Sequence, residues 1–249
     1  MKGKHLISIV MPCYNSEAYI ESAIKSVLCQ TYENFELLIT DDCSSDSTCL
    51  IVERLSSKDS RIKFHKLDKN CGAGRARNNC INLAEGRFIA FLDADDLWVN
   101  NKLELQLAFM LENKYEFTYT FYQKFTSEKC LSVVTAPLVT SYNKLLYSNV
   151  IGCLTVIYDT ERIGKLYMPL IRKRQDLGLW LEILNILPHA YCLPLNLARY
   201  RIDSGMTSNK FTVLSYQWRF YRNVIGLSLS KSLFAFCVYS VKGLLKSIK

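Results

Sequence analysis

Short apolar runs alternate with segments of helical apolar spacing over the first 100 residues of the chain. The runs are rich in β-branched residues, which is typical of buried strands. We predict strands at residues 6–11, 35–40, 61–66 and 88–92 and helices at 17–30, 47–56 and 77–84. This alternation predicts an α/β fold with a parallel sheet covered on both faces. Gly86 follows the third helix at a position suited to a left-handed cap.

The pattern is less regular after residue 100. We predict helices at 102–113 and 176–187, strands at 115–125 and 150–158, and a polar loop at 202–210. Neither an internal repeat nor a linker is evident in the sequence. We therefore expect one domain at 1–215, made of the parts 1–100 and 101–215, followed by a C-terminal segment at 216–249.

The composition fits a globular protein, with 49% hydrophobic and 22% charged residues. The net charge of +8 is spread, with moderate clusters at 172–174 and toward the C-terminus. This spread argues against a nucleic-acid partner and fits a peripheral protein that handles phosphates. Ten cysteines without a CxxC pair, beside three histidines, argue against a zinc site. We expect reduced thiols in a cytosolic protein, without a signal peptide or membrane span.

Polar side chains follow three predicted strands at the points where the strands end. They form the segments 12–15, 41–42 and 93–96. Ligands of open α/β sheets bind beyond the carboxyl ends of the strands. The sequence therefore predicts a ligand site built from these segments.

The carboxylates in these segments suit metal and nucleotide binding. Asp93 and Asp95 lie two residues apart after an apolar strand, so they point the same way in an extended chain. Such oxygen ligands suit Mg²⁺ or Mn²⁺, which often bind through one or two carboxylates plus substrate phosphates. The alternative to a metal site is that Asp93 and Asp95 belong to a carboxylate-rich loop that caps the next helix. Asp42 can accept hydrogen bonds from a base or a ribose, or serve as a turn aspartate.

A glycine-containing loop at 70–75 argues against two classes of nucleotide enzyme. It lacks the P-loop pattern and the third glycine of a dinucleotide-binding loop. Arg75 and Arg77 can still reach a diphosphate, or form a solvated helix face.

Five segments resemble glycosyltransferase family 2 in their order and spacing. They are SIVMPCYN (8–15), its continuation 17–31, LLITDDCSSDST (37–48), NCGAGRARN (70–78) and GRFIAFLDADDLW (86–98). The resemblance implies a GT-A fold, with a mostly parallel central sheet flanked by helices and, here, a C-terminal helical extension. It implies a nucleotide-sugar donor, expected to be UDP-linked, and inversion at the anomeric carbon. Residues 1–100 would be the nucleotide-binding half and 101–215 the acceptor half.

The same resemblance implies roles for residues near the first two strands. Pro12, Tyr14 and Glu17 would line the nucleotide pocket, with Tyr14 against the base. Asp42 would hold the uracil or its ribose. Cys13 stands where the family often has a small hydroxyl residue, which puts one base contact in doubt.

Further roles follow for the diphosphate and the metal. Arg77 would lie near the donor, and Asp93 would contact the ribose or the donor sugar. Asp95 would bind Mn²⁺ or Mg²⁺ bridging the diphosphate. Arg201 begins a loop at 200–208 that resembles a late family loop without its usual histidine, and it would meet the diphosphate.

Asp176 resembles the general base of the family. Members often carry two acidic residues at the start of a helix that contains an aromatic residue, and here Gln175 replaces the first acid. Asp176 would take the proton from the acceptor hydroxyl, and Trp180 would contact the acceptor. A first-turn aspartate favoured by the helix dipole is the alternative for Asp176.

The C-terminal segment 216–249 is basic and rich in aromatic residues. Such a segment can lie on an anionic membrane surface. Packing on the core with solvated lysines is the alternative, and the lysines concerned are Lys231, Lys242, Lys246 and Lys249. We expect a peripheral location at the inner face of the plasma membrane and a glycan or undecaprenyl-diphosphate-linked acceptor.

These observations predict a metal-dependent, inverting glycosyltransferase that moves a hexose or N-acetylhexosamine in surface-polysaccharide biosynthesis of the O-antigen or capsule kind. One alternative is a nucleotide-sugar-binding protein without turnover, for which Gln175 is the hint. Another is a nucleotidyltransferase, but the segment after the first strand lacks the glycine-rich, basic signature of that class.

Overall fold

The structure, a computed structural model, describes residues 5–203 and 210–248. In chain order the strands are β1 (Ile7–Cys13), β2 (Phe35–Asp41), β3 (Ile62–Lys66), β4 (Phe88–Phe91), β5 (Leu97–Trp98), β6 (Phe117–Phe125), β7 (Cys130–Val134), β8 (Val139–Thr140), β9 (Ile157–Asp159) and β10 (Ala190–Arg201). Residues 204–209 of the predicted polar loop lie outside the described residues.

The helices cover both faces of the strands. In chain order they are α1 (Ile20–Leu28), α2 (Thr48–Ser56), α3 (Ala73–Leu83), α4 (Lys102–Asn113), α5 (Tyr142–Leu146), α6 (Thr160–Ile163), α7 (Gln175–Ile186), α8 (Lys210–Arg219) and α9 (Leu229–Ile248). A 3-10 turn at Cys153–Thr155 precedes β9, and a π-helical turn at Phe220–Val224 follows α8.

The described strands form one sheet in the order β3-β2-β1-β4-β9-β6-β10-β5, with β7 added to β6 and β8 added to β10. β3, β2, β1 and β4 are parallel to one another, and β6 is parallel to β10. β9 is antiparallel to both of its neighbours, β4 and β6. The predicted α/β fold with a mostly parallel central sheet is therefore confirmed.

The apolar strands are buried because helices cover the sheet on both sides. In β1, Ile9 and Met11 pack on the side of Ile24 in α1. Val10 points to the opposite side, into a core that contains Trp180 of α7. Side chains of successive strand residues alternate between faces, so a strand buried on both faces is continuously apolar.

Gly86 is required for a close approach between chain segments, and the left-handed cap expected there is wrong. α3 ends at Leu83, Ala84 follows in an extended conformation, and Gly86 is not among the described glycines with a positive φ. A Cβ at Gly86 would lie 2.6 Å from the carbonyl oxygen of Leu6 and 2.7 Å from the amide nitrogen of Ser8. Any larger residue would therefore push the turn before β4 away from β1.

The C-terminal helices pack on the domain. Phe220 and Tyr221 are buried, and the Tyr221 hydroxyl donates to the carbonyl of Leu146 at 2.7 Å. Within the described residues, no helix combines the length and the apolar character needed to cross a membrane. The side chains of residues 242–249, which include three of the predicted solvated lysines, lie outside the described part of the chain.

Candidate active site

The carboxylates that follow β4 are held by a buried arginine. β4 ends at Phe91, and Nη2 of Arg77 in α3 donates to Oδ1 of Asp93 at 2.6 Å. Burial lowers the pKa of Arg77, but the charge of Asp93 and its hydrogen bond help to outweigh that effect, so the pKa lies above its usual value. A permanent positive charge therefore stands beside these carboxylates.

Gln175 connects the guanidinium of Arg77 to the second half of the domain. Its amide oxygen accepts Nη1 of Arg77 at 2.9 Å, and its amide nitrogen donates to the carbonyl of Ile171. Gly74 makes room for it, because a Cβ there would lie 2.9 Å from Nε2 of Gln175. A carboxylate could not donate to Ile171, so the departure from the family's acidic pair has a structural reason.

Asp176 stands in the first turn of α7, half-buried, at the wall of a cavity. Nδ2 of Asn149 donates to Oδ2 of Asp176 at 3.1 Å and orients the carboxylate. The first turn of a helix also favours negative charge. Asp176 is thus a first-turn aspartate that also faces the cavity, and its role as general base stays a prediction.

The cavity has a volume of about 580 Å³ and joins the two halves of the domain. Its charged and polar lining consists of Arg77, Asp93 and Asp96 from the first half and Tyr122, Thr135, Asn149, Cys153, Arg172, Lys173, Arg174, Gln175, Asp176 and Tyr200 from the second. Sequence reasoning missed Asn149 and Cys153, which stand in no recognisable motif. The basic residues at 172–174 were visible as a charge cluster without an assigned role.

Cys153 is a cavity residue that stays protonated. Burial, followed by the charge of Asp93, raises the pKa of its thiol well above the usual value. A thiol in this state is a poor nucleophile. Covalent catalysis at Cys153 is therefore disfavoured.

Asp96 is a buried acid that the sequence analysis did not assign. Burial, and then the charges of Asp93 and Asp95, raise its pKa well above the usual value. Its Oδ1 accepts the backbone N–H of Arg201 at 2.8 Å. Asp96 therefore joins the segment after β4 to the end of β10.

Arg201 clamps the same segment with its side chain. Its Nε donates to the carbonyl of Asp95 at 3.0 Å, and its guanidinium lies 4.5 Å from the ring centre of Tyr19 and 4.4 Å from that of Phe125. The side chain is 8% exposed, and the cavity lining does not include it. Arg201 thus positions the loop that carries Asp95, and its contact with a diphosphate stays a prediction.

The residues predicted for the nucleotide lie at the carboxyl ends of β1 and β2. Pro12 is buried in β1, whereas Tyr14, just beyond the strand, is 50% exposed. Glu17 is exposed, and its Oε2 accepts the backbone N–H of Ser47 at 2.8 Å. The structure thus brings the three residues to one edge of the sheet, with the Tyr14 ring accessible.

Asp42 anchors the glycine-containing loop. Its two carboxylate oxygens accept the backbone N–H groups of Cys71 and Gly72, each at 2.7 Å, and the residue is 3% exposed. Cys13 is also buried, with its thiol directed at Thr40 and Asp41. The Cys13 side chain is therefore part of the packing between the strands. The difference from the family's usual small hydroxyl residue lies in the protein interior.

The prediction that Trp180 contacts the acceptor is wrong. Trp180 has no exposed surface, and its ring meets Phe91 edge-on at 5.4 Å and Phe117 at 5.5 Å. α7 packs this face against the sheet and turns only its first residues to the cavity. The aromatic residue in the motif thus fills the core and holds the helix that carries Asp176.

Asp93 and Asp95 provide the oxygen ligands that a divalent metal prefers. The Asp93 side chain is 31% exposed, and Asp95 is half-buried. Within the described residues, no three side chains of the usual ligand types converge on one point. A metal held by one or two carboxylates would take its remaining ligands from water and the substrate phosphates.

Residues 8–132 match the model of glycosyl transferase family 2. The chain belongs to this family and is a glycosyltransferase of the GT-A fold, as the resemblance implied.

Two relatives are similar to the chain in sequence, and one solved structure is similar to it in fold. It is 38% identical over 248 residues to TuaG of Bacillus subtilis, a glycosyltransferase assigned to teichuronic acid biosynthesis, with 98% of each chain covered. It is 44% identical over 217 residues to WfgD of Escherichia coli, named UDP-Glc:alpha-D-GlcNAc-diphosphoundecaprenol beta-1,3-glucosyltransferase, covering 86% of this chain and 84% of WfgD. The S. aureus TarS 1-349 complex with UDP-GlcNAc matches the fold with a TM-score of 0.72 at 22% identity, covering 94% of this chain and 71% of TarS 1-349.

Proposed function

We propose that the chain transfers a hexose from a UDP-sugar, with inversion, to a sugar carried on a lipid diphosphate during surface-polysaccharide assembly. The observation that carries the proposal is the shared cavity, in which the Arg77–Asp93 pair faces the carboxylate of Asp176 from the other half of the domain. The 44% identity to WfgD, whose name specifies such a donor and acceptor, supports the substrate class.

The donor would lie along the carboxyl ends of β1, β2 and β4. Tyr14 is 50% exposed, and its ring would stack on the base, with Pro12 and Glu17 at the same edge. Each oxygen of Asp42 already accepts one backbone N–H. A carboxylate oxygen can accept a second hydrogen bond, as contact with a uracil N–H or a ribose hydroxyl requires.

The diphosphate would lie against Asp93, Asp95 and Arg77. The donor set of carboxylate oxygens fits Mn²⁺ or Mg²⁺ held by Asp95, and such an ion would neutralise charge on the departing nucleoside diphosphate. Arg77 adds a fixed positive charge, kept in place by Asp93 and Gln175. Arg201 holds the loop of Asp95 through its Nε and would meet the diphosphate from the end of β10.

Asp176 would act as the general base in a single displacement. The acceptor oxygen forms a bond to the anomeric carbon while its proton passes to the Asp176 carboxylate. The bond between that carbon and the diphosphate oxygen breaks, and the electron pair leaves with UDP. One displacement inverts the anomeric configuration and requires no covalent sugar–enzyme intermediate.

The structure offers no support for the alternative of a nucleotide-sugar-binding protein without turnover. It rested on Gln175 in place of an acid, but this amide supports both Arg77 and Ile171. Asp176 itself is present and faces the cavity.

α9 supports a peripheral position at an anionic membrane surface. The exposed stripe of α9 (Leu229, Leu233, Phe234 and Val241) shows more than half of each side chain to solvent. The opposite side of the helix packs on the domain through Ala235, which is 1% exposed. An amphipathic helix of this kind can bind at the inner face of the membrane.

Vesicle flotation tests the membrane position. With phosphatidylglycerol vesicles at low salt, we expect the wild type to float and Leu233→Ser/Phe234→Ser to stay in solution. Leu50→Ser, at a residue of α2 that is 68% exposed, is the matched control and should float. Equal flotation of both variants, or none of the wild type, contradicts a membrane contact through α9.

The test of the activity is UDP release from a panel of UDP-, GDP- and dTDP-sugars with an N-acetylglucosaminyl diphosphate lipid as acceptor. We expect release from one UDP-hexose that needs the acceptor and stops on addition of EDTA. EDTA-resistant turnover would overturn the metal assignment. The absence of transfer from every donor would overturn the proposed function.

A further inference from the structure

Three consecutive basic residues, here called the basic rim (Arg172, Lys173 and Arg174), line the cavity immediately before α7. Arg172 is exposed, and the other two are half-buried. In the described part of the chain, none of the three forms a salt bridge with a carboxylate. The rim therefore presents positive charge that the protein itself does not neutralise.

Two rim residues are attached to the C-terminal helices. Nζ of Lys173 lies 5.4 Å from the ring centre of Tyr216 in α8. The guanidinium of Arg174 lies 5.4 Å from the ring centre of Tyr239 in α9 and donates a hydrogen bond to its hydroxyl. Cation–π contacts of this kind leave the ammonium or guanidinium charge unneutralised. The rim is thus held between the cavity and the helix that carries the exposed stripe.

The backbone of the rim is also unusual. Arg174 has a φ of 70°, in the left-handed region. A residue with a long side chain rarely adopts this conformation. Sites where a side chain must point in a given direction often hold such residues. Arg174 is the last rim residue and directly precedes α7. Its conformation therefore sets the start of the helix in which Asp176 is the second residue.

Three features lie near one another on this side of the cavity. The carboxylate of Asp176 and the basic rim line the same cavity, and Arg174 of the rim contacts Tyr239 of α9, the helix that carries the exposed stripe. A lipid-linked acceptor has three matching parts, namely a sugar hydroxyl, a diphosphate and an apolar chain.

We propose that the basic rim binds the diphosphate of the acceptor, which sets the acceptor hydroxyl at Asp176 and directs the lipid chain toward α9. This inference rests on the proposed function. The donor also carries a diphosphate, but the proposed function assigns it to Arg77, Asp93 and Asp95, of which Arg77 and Asp93 form an ion pair in the lining that the first half of the domain contributes. The rim instead comes directly before α7, the helix of Asp176, and contacts both C-terminal helices.

The test uses Arg172→Gln, since Arg172 is exposed and its loss does not disturb packing. Two acceptors are compared, an N-acetylglucosaminyl diphosphate on an alkyl chain and the same sugar and chain without the diphosphate. We expect Arg172→Gln to lower kcat/KM about tenfold with the first acceptor, a typical value for losing a charge-assisted contact. The change with the second acceptor should stay within about twofold.

Two further variants sharpen the result. Arg172→Lys keeps the charge and should restore most of the activity with the diphosphate acceptor. Arg54→Gln removes one exposed charge from α2, outside the cavity lining, and should leave both acceptors unaffected. Calorimetry with UDP should give the same Kd for Arg172→Gln and the wild type.

Direct binding separates this inference from the proposed function. Binding of the diphosphate acceptor is measured by calorimetry without donor, for the wild type and Arg172→Gln. Weaker binding by the variant supports the rim even if no transfer occurs, in which case only the proposed function fails. Equal losses with both acceptors, weaker UDP binding, unchanged kcat/KM, or no binding by the wild type would each overturn the rim proposal.

Discussion

Replacement of Asp176 by asparagine separates catalysis from binding at this site. The amide of Asp176→Asn has the same shape as the carboxylate, and its oxygen can still accept the hydrogen bond that Nδ2 of Asn149 donates. The variant loses the ability to take a proton, and it loses the negative charge in the first turn of α7. The fold and the cavity should otherwise be retained.

The expected magnitudes follow from these two losses. General base catalysis contributes about 10²–10⁴ in rate, and we expect kcat to fall by about 10³, which corresponds to ~4 kcal/mol in the barrier. Removal of a first-turn carboxylate should lower the free energy of unfolding by only about 0.3–1 kcal/mol. The donor contacts assigned to Asp42 and Asp95 are not touched, so the Kd for UDP should be unchanged.

The assay is single-turnover transfer with saturating donor and acceptor, so that chemistry rather than product release is followed. Asp68→Asn, an exposed aspartate outside the cavity lining, is the matched control and should keep wild-type kcat. A single-turnover rate of Asp176→Asn within tenfold of the wild type would refute the assignment of Asp176 as the base. A large loss of UDP affinity would show instead that Asp176 serves the donor.

Three other perturbations test the energetics of the fold and the site. Lys102 is fully buried, and burial lowers its pKa to about 7 from 10.5. Because the unfolded chain binds this proton up to higher pH, wild-type stability should rise by about 1.4 kcal/mol per pH unit above pH 7. The stability advantage of Lys102→Met in urea unfolding should shrink by about 2–3 kcal/mol between pH 7 and 9, and a pH-independent difference would contradict the shift. Gly86→Ala places a Cβ 2.6 Å from the Leu6 carbonyl oxygen and should cost about 3 kcal/mol; an unchanged Tm would show that the turn can move. Arg201→Lys removes the clamp on the Asp95 loop and should raise the Mn²⁺ concentration for half-maximal activity several-fold, whereas an unchanged value would separate Arg201 from metal binding.

The first half of the fold was predictable because its strands are buried on both faces. β1, β2 and β4 are continuous apolar runs that end in polar residues, and their carboxyl ends meet at one edge. The carboxylates Asp93 and Asp95 could be placed at the candidate site for the same reason. Arg77 was assigned near the donor, but its bond to Gln175 depends on a contact across the fold.

The second half was less predictable because its strands lack a regular pattern. β10 was missed, since its register shifts between Leu193 and Asn196 and again before Ala198, and it contains exposed residues. Its partner β6 lies far away in sequence. Short strands such as β9 acquire their conformation from their neighbours in the sheet.

Trp180 shows the limit of assigning roles from a motif. An aromatic residue in the first turns of a helix can face either the core or the site, and the sequence does not distinguish these. Trp180 faces the core because its ring packs against Phe91 and Phe117, which come from two different strands. Asn149 reaches Asp176 from a loop before β9, and no local signal marks it.

The most direct test of the central claim is the anomeric configuration of the product. The purified protein is incubated with Mn²⁺, α-linked UDP-hexoses and an N-acetylglucosaminyl diphosphate lipid, and the transferred sugar is analysed by NMR. A single displacement assisted by Asp176 predicts a β-linked hexose on the acceptor, formed together with one UDP. An α-linked product, or UDP release without transfer to the acceptor, would contradict the account.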